Sequence, residues 1–204
     1  IPHDAVVALF VGRLANDKGL RELHDAWMRI RGEHPHAYLL IAGAMDVRDG
    51  IPSGLLEACR ADVRIRLLGH ASDVHLLYAA SDLLVHPSRR EGFPNAPLEA
   101  AAMALPVITT NATGCIDAVE HGVTGLMVPA GSAAELVGAI RAYLSSGRLR
   151  QQHGSAGRAR VLRDFRPERV WGEMFAEYQR LLRSRAGATA VAEQMVAGES
   201  PTNV

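Results

Sequence analysis

The sequence is poor in rings, in cysteine and in net charge. Aromatic side chains make up 5% of its 204 residues, cysteine occurs twice, and Lys+Arg and Asp+Glu both count 22. With so few rings the interior has to be filled by Ala, Leu and Val, and a 48% hydrophobic share is enough for a globular core. A balanced charge argues against a global field that would draw nucleic acid or an anionic membrane, so any anionic ligand must be held by local charges in a pocket. Cys59 and Cys115 belong to no CxxC or Cys/His cluster. That argues against a disulfide framework or a zinc site and suits a reducing, cytoplasmic compartment, with both residues read as small core side chains.

Long apolar runs are missing too: none approaches the roughly 20 residues of a membrane helix. The opening "IPHDAVVALFVG" has no starting Met, no charged n-region and no cleavage site, and it enters a strand almost at once. We therefore expect part of a longer polypeptide.

What is present alternates regularly. "AVVALFV" (5–11), "AYLLIAG" (37–43), "VRIRLLG" (63–69), "DLLVHPS" (82–88), "PVITT" (106–110) and "GLMVPA" (125–130) read as strands, several of them apolar throughout, as parallel strands covered on both faces should be. Between them "DKGLRELHDAWMRIRGEH", "PSGLLEACRAD", "SDVHLLYAAS", "APLEAAAMA" and "CIDAVEHG" place apolar residues three or four apart, as helices do. The alternation predicts an α/β fold: a Rossmann-like open parallel sheet of about six strands with helices on both faces. The pattern then turns wholly helical through "SAAELVGAIRAYLSS", "RLRQQHGSAGRARVLRDF" and "PERVWGEMFAEYQRLLRS". Ser132 and Glu135 form a capping box for the first of these. The last carries Val170, Trp171, Met174, Phe175, Tyr178, Leu181 and Leu182 as a broad apolar stripe. One domain over residues 1–183 is expected, followed by a frayed or disordered tail over 184–204.

In an open parallel sheet, ligands bind beyond the carboxyl ends of the strands. After the first strand comes "GRLANDKG", with Gly12 permitting close backbone approach, Arg13 offering a fork of donors, and Lys18 placed at the start of the next helix. Two cations and a helix N-terminus make an anion site suited to a diphosphate, with a structural salt bridge for Arg13 and a solvated Lys18 as the alternative. The stretch is neither GxxxxGK[ST] nor GxGxxG, so P-loop and dinucleotide readings lose their support. After the fourth strand, "SRREGFPNAPLEA" places Asn95 as a helix N-cap and Pro94 and Pro97 where a first turn tolerates them. Glu91 and Gly92 then lie in the loop, and Glu99 about one turn into the helix. His86 in "VHPS" reads either as a ligand contact or as a hydrogen-bonded structural histidine. The arginines at 148, 150, 158, 160, 163, 166 and 169 read either as a solvated helical face or as a contact for anionic lipid, and Trp171, Phe175 and Tyr178 as packing or as a stacking platform.

"FVGRLANDKG", then "LLGHASDVHLLYAASDLLVHPSRREGFPNAPLEAAAMALPVITTNATG", then "AVEHGVTGLMVPAGSAAEL" together resemble the C-terminal, donor-binding domain of the glycosyltransferase family 4 (group 1) enzymes of the GT-B fold. The resemblance runs from about residue 5 to residue 183 and is strongest to enzymes of capsular polysaccharide, O-antigen and lipid-linked glycan synthesis. It implies a retaining, metal-independent transfer of sugar from a nucleoside diphosphate sugar, UDP being the expected carrier, to a glycan or lipid-linked acceptor. The nucleotide sugar is a substrate; neither cofactor nor metal is expected.

The resemblance also implies roles. Glu91 would contact hydroxyls of the transferred sugar and Glu99 the ribose diol, while Arg13 and Lys18 would hold the diphosphate and stabilise it as it leaves. Gly12, Gly92, Phe93, Pro94, Asn95 and Leu98 would line the same cleft, and Gly69 with His70 the nucleobase. Many relatives have glycine where Pro94 stands, so one amide donor is absent here. An N-terminal acceptor domain completes such enzymes and is not in this sequence, so the chain alone is expected to transfer no sugar and the complete enzyme to work in the cytoplasm or peripherally at the inner membrane face. A sugar-nucleotide epimerase half of the same fold, or a non-catalytic nucleotide-binding module, are the alternatives.

Overall fold

The computed structural model describes residues 1–46, 50–52 and 54–196, residues 185–196 in their backbone only. Six strands, β1 (Val6–Val11), β2 (Ala37–Ala42), β3 (Ile65–Gly69), β4 (Leu83–His86), β5 (Val107–Thr110) and β6 (Gly125–Val128), form one sheet in the order β3-β2-β1-β4-β5-β6. Every neighbouring pair is parallel. This is the expected α/β Rossmann-like sheet.

Strand parity explains the apolar runs. Successive side chains point to opposite faces, so Ala8 and Phe10 of β1 enter one core cluster while Val7 and Leu9 enter the other. The first cluster lies under α1 (Leu20–Ile30) and α5 (Ala133–Ser145), where Leu23, Trp27, Ile30, Ile140 and Tyr143 are fully buried. The second lies under α3 (Val74–Ala79) and α4 (Asn95–Ala102) and contains Tyr78, Ala100, Leu84 and Val107. Each large apolar side chain so buried contributes about 1.5–3 kcal/mol. α2 (Leu55–Ala61) buries Leu55 and Cys59, so Cys59 is a core residue as expected, as is Cys115.

Some local readings need correction. "CIDAVEHG", expected as a helix between β5 and β6, is a series of turns. Its last carbonyls are bound instead by α6 (Gly147–Asp164), through Arg160 to Asp117 O at 2.7 Å and to Ala118 O at 2.9 Å. Arg150 likewise donates to Tyr143 O and Arg158 to Ala102 O, so these arginines fasten α6 to its neighbours and do not simply form a solvated face. α4 begins at Asn95, with Pro94 and not Asn95 at the cap and no side-chain capping bond, because the proline ring already sets an extended backbone there. Half of the expected capping box is present at α5, where Glu135 N donates to Ser132 Oγ at 3.3 Å.

The chain divides into two compact units, residues 1–162 and 163–204. The second is built on α7 (Pro167–Val196). Its backbone stays helical beyond residue 184, where a frayed tail was expected, since no Gly-Pro stop precedes Gly198 and Pro201; residues 197–204 lie outside the described residues. Trp171, Phe175 and Tyr178 are exposed by 68%, 63% and 59% among the described residues.

Gly154 of α6 lets the helix lie on the α4–β5 turn. A Cβ on Gly154 would fall far inside van der Waals contact with Ala104 O, whereas one on Gly138 of α5 would meet nothing. Ala gains up to about 1 kcal/mol over Gly in a helix, but overpacking costs about 1–3 kcal/mol. We therefore expect Gly154→Ala to lower, and Gly138→Ala to raise, the stability measured by denaturant unfolding.

Candidate functional site

The strand order reverses between β1 and β4, and the loops that follow these two strands interlock. The first contains a short 3-10 turn, Asn16–Lys18, then Gly19, which caps α1 with a left-handed φ of 71°. Lys18 thus sits in the turn before α1, not in the helix itself as expected. A Cβ on Gly19 would overlap Pro87 O of the second loop. Arg89 N donates to Asp17 O at 2.8 Å, Ser88 Oγ to the same oxygen at 3.3 Å, and Arg89 pairs with Glu22. "NDKG" and "PSRRE" are therefore one rigid wall at the switch point.

The loop after β5 supports this wall from the other side. Glu91 N donates to Thr113 O at 3.2 Å and Thr110 Oγ1 to Ser88 O. Gly114, at φ 81°, lies so close beneath Glu91 and Gly92 that a side chain there would overlap both carbonyls. Three loops far apart in sequence thus fix the backbone at Glu91.

The Glu91 side chain is held just as closely. Lys18 Nζ donates to its Oε1 at 2.8 Å, and His86 Nε2 lies 3.0 Å from the same oxygen. Burial alone would raise the Glu91 pKa, but hydrogen bonds from His86, Lys18 and Ser88 outweigh it and bring it down to about 2. Burial likewise opposes a charged His86, and the neighbouring Cys115 and Glu91 outweigh that, raising its pKa above the ordinary value. His86 is thus a hydrogen-bonded, buried histidine, the second of the two readings the sequence left open.

Glu99 stands apart from this cluster. It lies on the exposed side of α4, and Tyr78, 2% exposed, donates its hydroxyl to Glu99 Oε2 at 2.8 Å. Burial and the bond to Glu99 push the Tyr78 pKa up, so this hydroxyl stays a donor. Sequence reasoning missed Tyr78; its place five residues before the β4 strand, on the apolar side of "DVHLLYAAS", reads simply as core.

Arg13 reaches the rim but pairs with Asp46, its side chain 58% exposed. Gly12, Arg13 and His70, with Val11, Gly43 and Val74, line an apolar cleft of about 230 Å³ at the carboxyl ends of β1, β2 and β3. Gly43 N donates to Gly69 O at 2.7 Å, which brings Gly69 to the edge of this cleft. A Cβ on Gly12 would make ordinary contact with the Phe10 ring; the position that crowding restricts to glycine is Gly43, where a side chain would overlap Gly12 O. Pro94 is buried at the α4 cap, Leu98 half-buried, and Gly92, Phe93 and Asn95 exposed beside Glu91. The structure therefore brings Lys18, Glu91 and His86 into one cluster, Glu99 and Tyr78 into a second, and Gly12, Arg13 and His70 into a third; Lys18, Glu91, Gly12, Arg13 and His70 lie on loops after the strands, His86 ends β4, and Tyr78 and Glu99 lie on α3 and α4.

Known proteins resemble this chain in sequence and fold. The family model for glycosyl transferases group 1 matches residues 5–146. The capsular polysaccharide biosynthesis glycosyltransferase CapM of Staphylococcus aureus is 32% identical over 185 residues, covering 91% of this chain and 49% of its own length. Among solved structures, sucrose-phosphate synthase from Thermosynechococcus elongatus superposes with a TM-score of 0.80 at 30% identity, covering 90% of this chain and 47% of that one. Anabaena HepE in complex with UDP and glucose superposes at 0.77 and 25% identity, covering 86% and 48%. The chain thus spans about half the length of these relatives, and it belongs to the group 1 glycosyl transferases.

Proposed function

We propose that this chain is the donor-binding half of a retaining, metal-independent glycosyltransferase that takes sugar from a nucleoside diphosphate sugar. The observation that carries the reading is the cluster at the switch point, where Lys18, on the same loop after β1 that supplies Gly12 and Arg13 to the cleft by His70, meets Glu91. UDP as carrier is supported by HepE, which is solved with UDP and glucose. A role in cell-surface polysaccharide synthesis is supported by CapM.

In this reading the nucleobase occupies the apolar cleft beside His70 and Gly69, Glu99 takes the ribose diol, and the diphosphate lies between Arg13 and Lys18. Glu91 receives sugar hydroxyls beside Gly92, Phe93, Pro94, Asn95 and Leu98. The bond between the anomeric carbon and the phosphate oxygen breaks with its electron pair on the phosphate. An acceptor hydroxyl attacks the same face, and its proton passes to the departing phosphate. Negative charge grows on the diphosphate as this happens, and the ammonium, the guanidinium and the positive end of α1 stabilise it, which is the charge a metal would otherwise supply. Glu91, ionised at any neutral pH, accepts hydroxyl hydrogen bonds and needs no covalent role.

The 204 residues span about half the relatives' length, so we expect weak nucleotide binding and no sugar transfer by this stretch in isolation. Calorimetry with UDP, GDP and UDP-sugars tests the site: Glu99→Ala and Arg13→Ala should each weaken nucleotide binding by about tenfold, the cost of losing one charge-assisted bond. Binding that is absent, or equal in wild type and both variants, rejects the assignment, and transferase turnover by the isolated chain rejects the division of labour. Added EDTA should leave the affinity unchanged.

Tyr78→Phe isolates the second cluster. It keeps the ring in the core and removes only the bond to Glu99. We expect affinity for UDP to fall by about three- to tenfold, with little change for inorganic diphosphate, measured in the same titrations.

A further inference from the structure

The two partners of Glu91 Oε1, Lys18 and His86, differ in a way that matters once a diphosphate arrives. Lys18 belongs to the anion site, and in the reading above it must serve the phosphates as well as Glu91 Oε1. His86 cannot be diverted in this way. Its side chain is 6% exposed, it ends β4 inside the sheet, and it approaches Oε1 from the protein side. Behind it lie Cys115, Thr109 and Ser88, each fully buried, and Thr109 Oγ1 donates to the His86 carbonyl at 3.4 Å. Neither bond uses the second oxygen of Glu91.

A buried imidazole is a costly way to fill space in a core where Val or Leu would pack without a polar atom to satisfy. Its neighbours on β4, Leu83, Leu84 and Val85, are such residues. The position therefore has a use for the ring's polarity, and the one well-directed side-chain bond the ring makes is to Glu91.

We propose that His86 is a positioning residue: it fixes Glu91 Oε1 from the protein side, so that the carboxylate keeps its place toward the donor sugar when the diphosphate draws Lys18 away. This rests on the reading of Glu91 as the sugar grip. The charged and titratable groups around the ring are Glu91 and Cys115, in contact with it, and Lys18 and Asp17 of the preceding turn, which are 3.6 Å apart. Burial opposes the imidazolium, but Cys115 and Glu91 favour it and raise the His86 pKa. A group raised in this way contributes fully below its unfolded pKa of about 6.5 and loses that contribution as pH rises through the higher folded value. The hold on Glu91 is therefore strongest on the acid side and relaxes in mildly alkaline solution.

The test compares sugar nucleotides with their sugarless forms. Affinities for UDP, UDP-glucose, UDP-N-acetylglucosamine, GDP and GDP-mannose are measured by calorimetry across about pH 6 to 9, the range in which a raised histidine titrates. The informative quantity is the ratio of affinity with and without the sugar. In wild type this ratio should fall as pH rises; His86→Ala should lower it about five- to tenfold while leaving UDP or GDP affinity nearly unchanged; and His86→Gln, which retains an N–H donor, should restore most of it and flatten the pH profile.

The outcomes separate the two claims. If wild type binds none of the nucleotides, or if Glu91→Gln leaves the ratio unchanged, the reading of the site fails and the role of His86 fails with it. If Glu91→Gln lowers the ratio but His86→Ala does not, the donor site stands and the proposal alone is overturned. Should His86→Ala not fold, His86→Leu, which keeps apolar bulk and removes both ring nitrogens, takes its place, and a wild-type ratio in that variant overturns the proposal equally.

Discussion

The site depends on how closely two loops can approach where the sheet reverses its strand order. Gly19 lies against Pro87 O with no room for a side chain, and Arg89 N and Ser88 Oγ both donate to Asp17 O. Without that contact Lys18 and Glu91, 73 residues apart in sequence, could not share a hydrogen bond. The fold supplies the rest of the geometry, since a parallel sheet with this order places the loops after β1 and β4 side by side. Gly43 and Gly114 repeat the device on either flank, each allowing one loop backbone to rest directly on another. Crowded backbone, more than any single ion pair, is what makes the polar cluster rigid.

Most of the fold is legible in the sequence because the strands are covered on both faces and so read as continuous apolar runs such as "VVALFV" and "LLIA". The one missing helix shows where periodicity misleads. In "CIDAVEHG" the residues Cys115, Ala118 and Val119 have helical spacing and are indeed buried, but the turn is held by the Arg160 side chain of α6, some forty residues later. Such a long-range partner leaves no local trace. Tyr78 escapes for a similar reason, because a tyrosine on an apolar stripe looks like core until its hydroxyl is seen to meet Glu99.

The acids Glu91 and Glu99 were legible by register alone, one before the helix start and one a turn inside it, and the structure gives them different surroundings. Glu91 is half-buried, doubly held on one oxygen and strongly acidic. Glu99 is exposed, with a single neutral donor behind it. A neutral phenol leaves Glu99 its full charge, which suits the proposed role of accepting from two adjacent hydroxyls. The cations around Glu91 instead spend part of its charge in holding it still, which suits a group whose position matters more than its strength.

The same accounting bears on the anion site. Arg13 is paired with Asp46 and Lys18 with Glu91, so each cation already has a carboxylate beside it. A diphosphate therefore meets little uncompensated positive charge, and it gains its place by sharing these cations with acids that remain where they are. The net attraction is then smaller than two free cations would give, because each new contact is made at the expense of an existing one. In the proposed reading, specificity follows from this economy: a bare anion would have only the shared cations to bind, whereas a nucleotide would also fill the apolar cleft by His70 and reach Glu99. Only a ligand long enough to touch all three clusters at once would then recover the cost of loosening Lys18 from Glu91, and a sugar beyond the diphosphate would give Glu91 a new partner in place of Lys18.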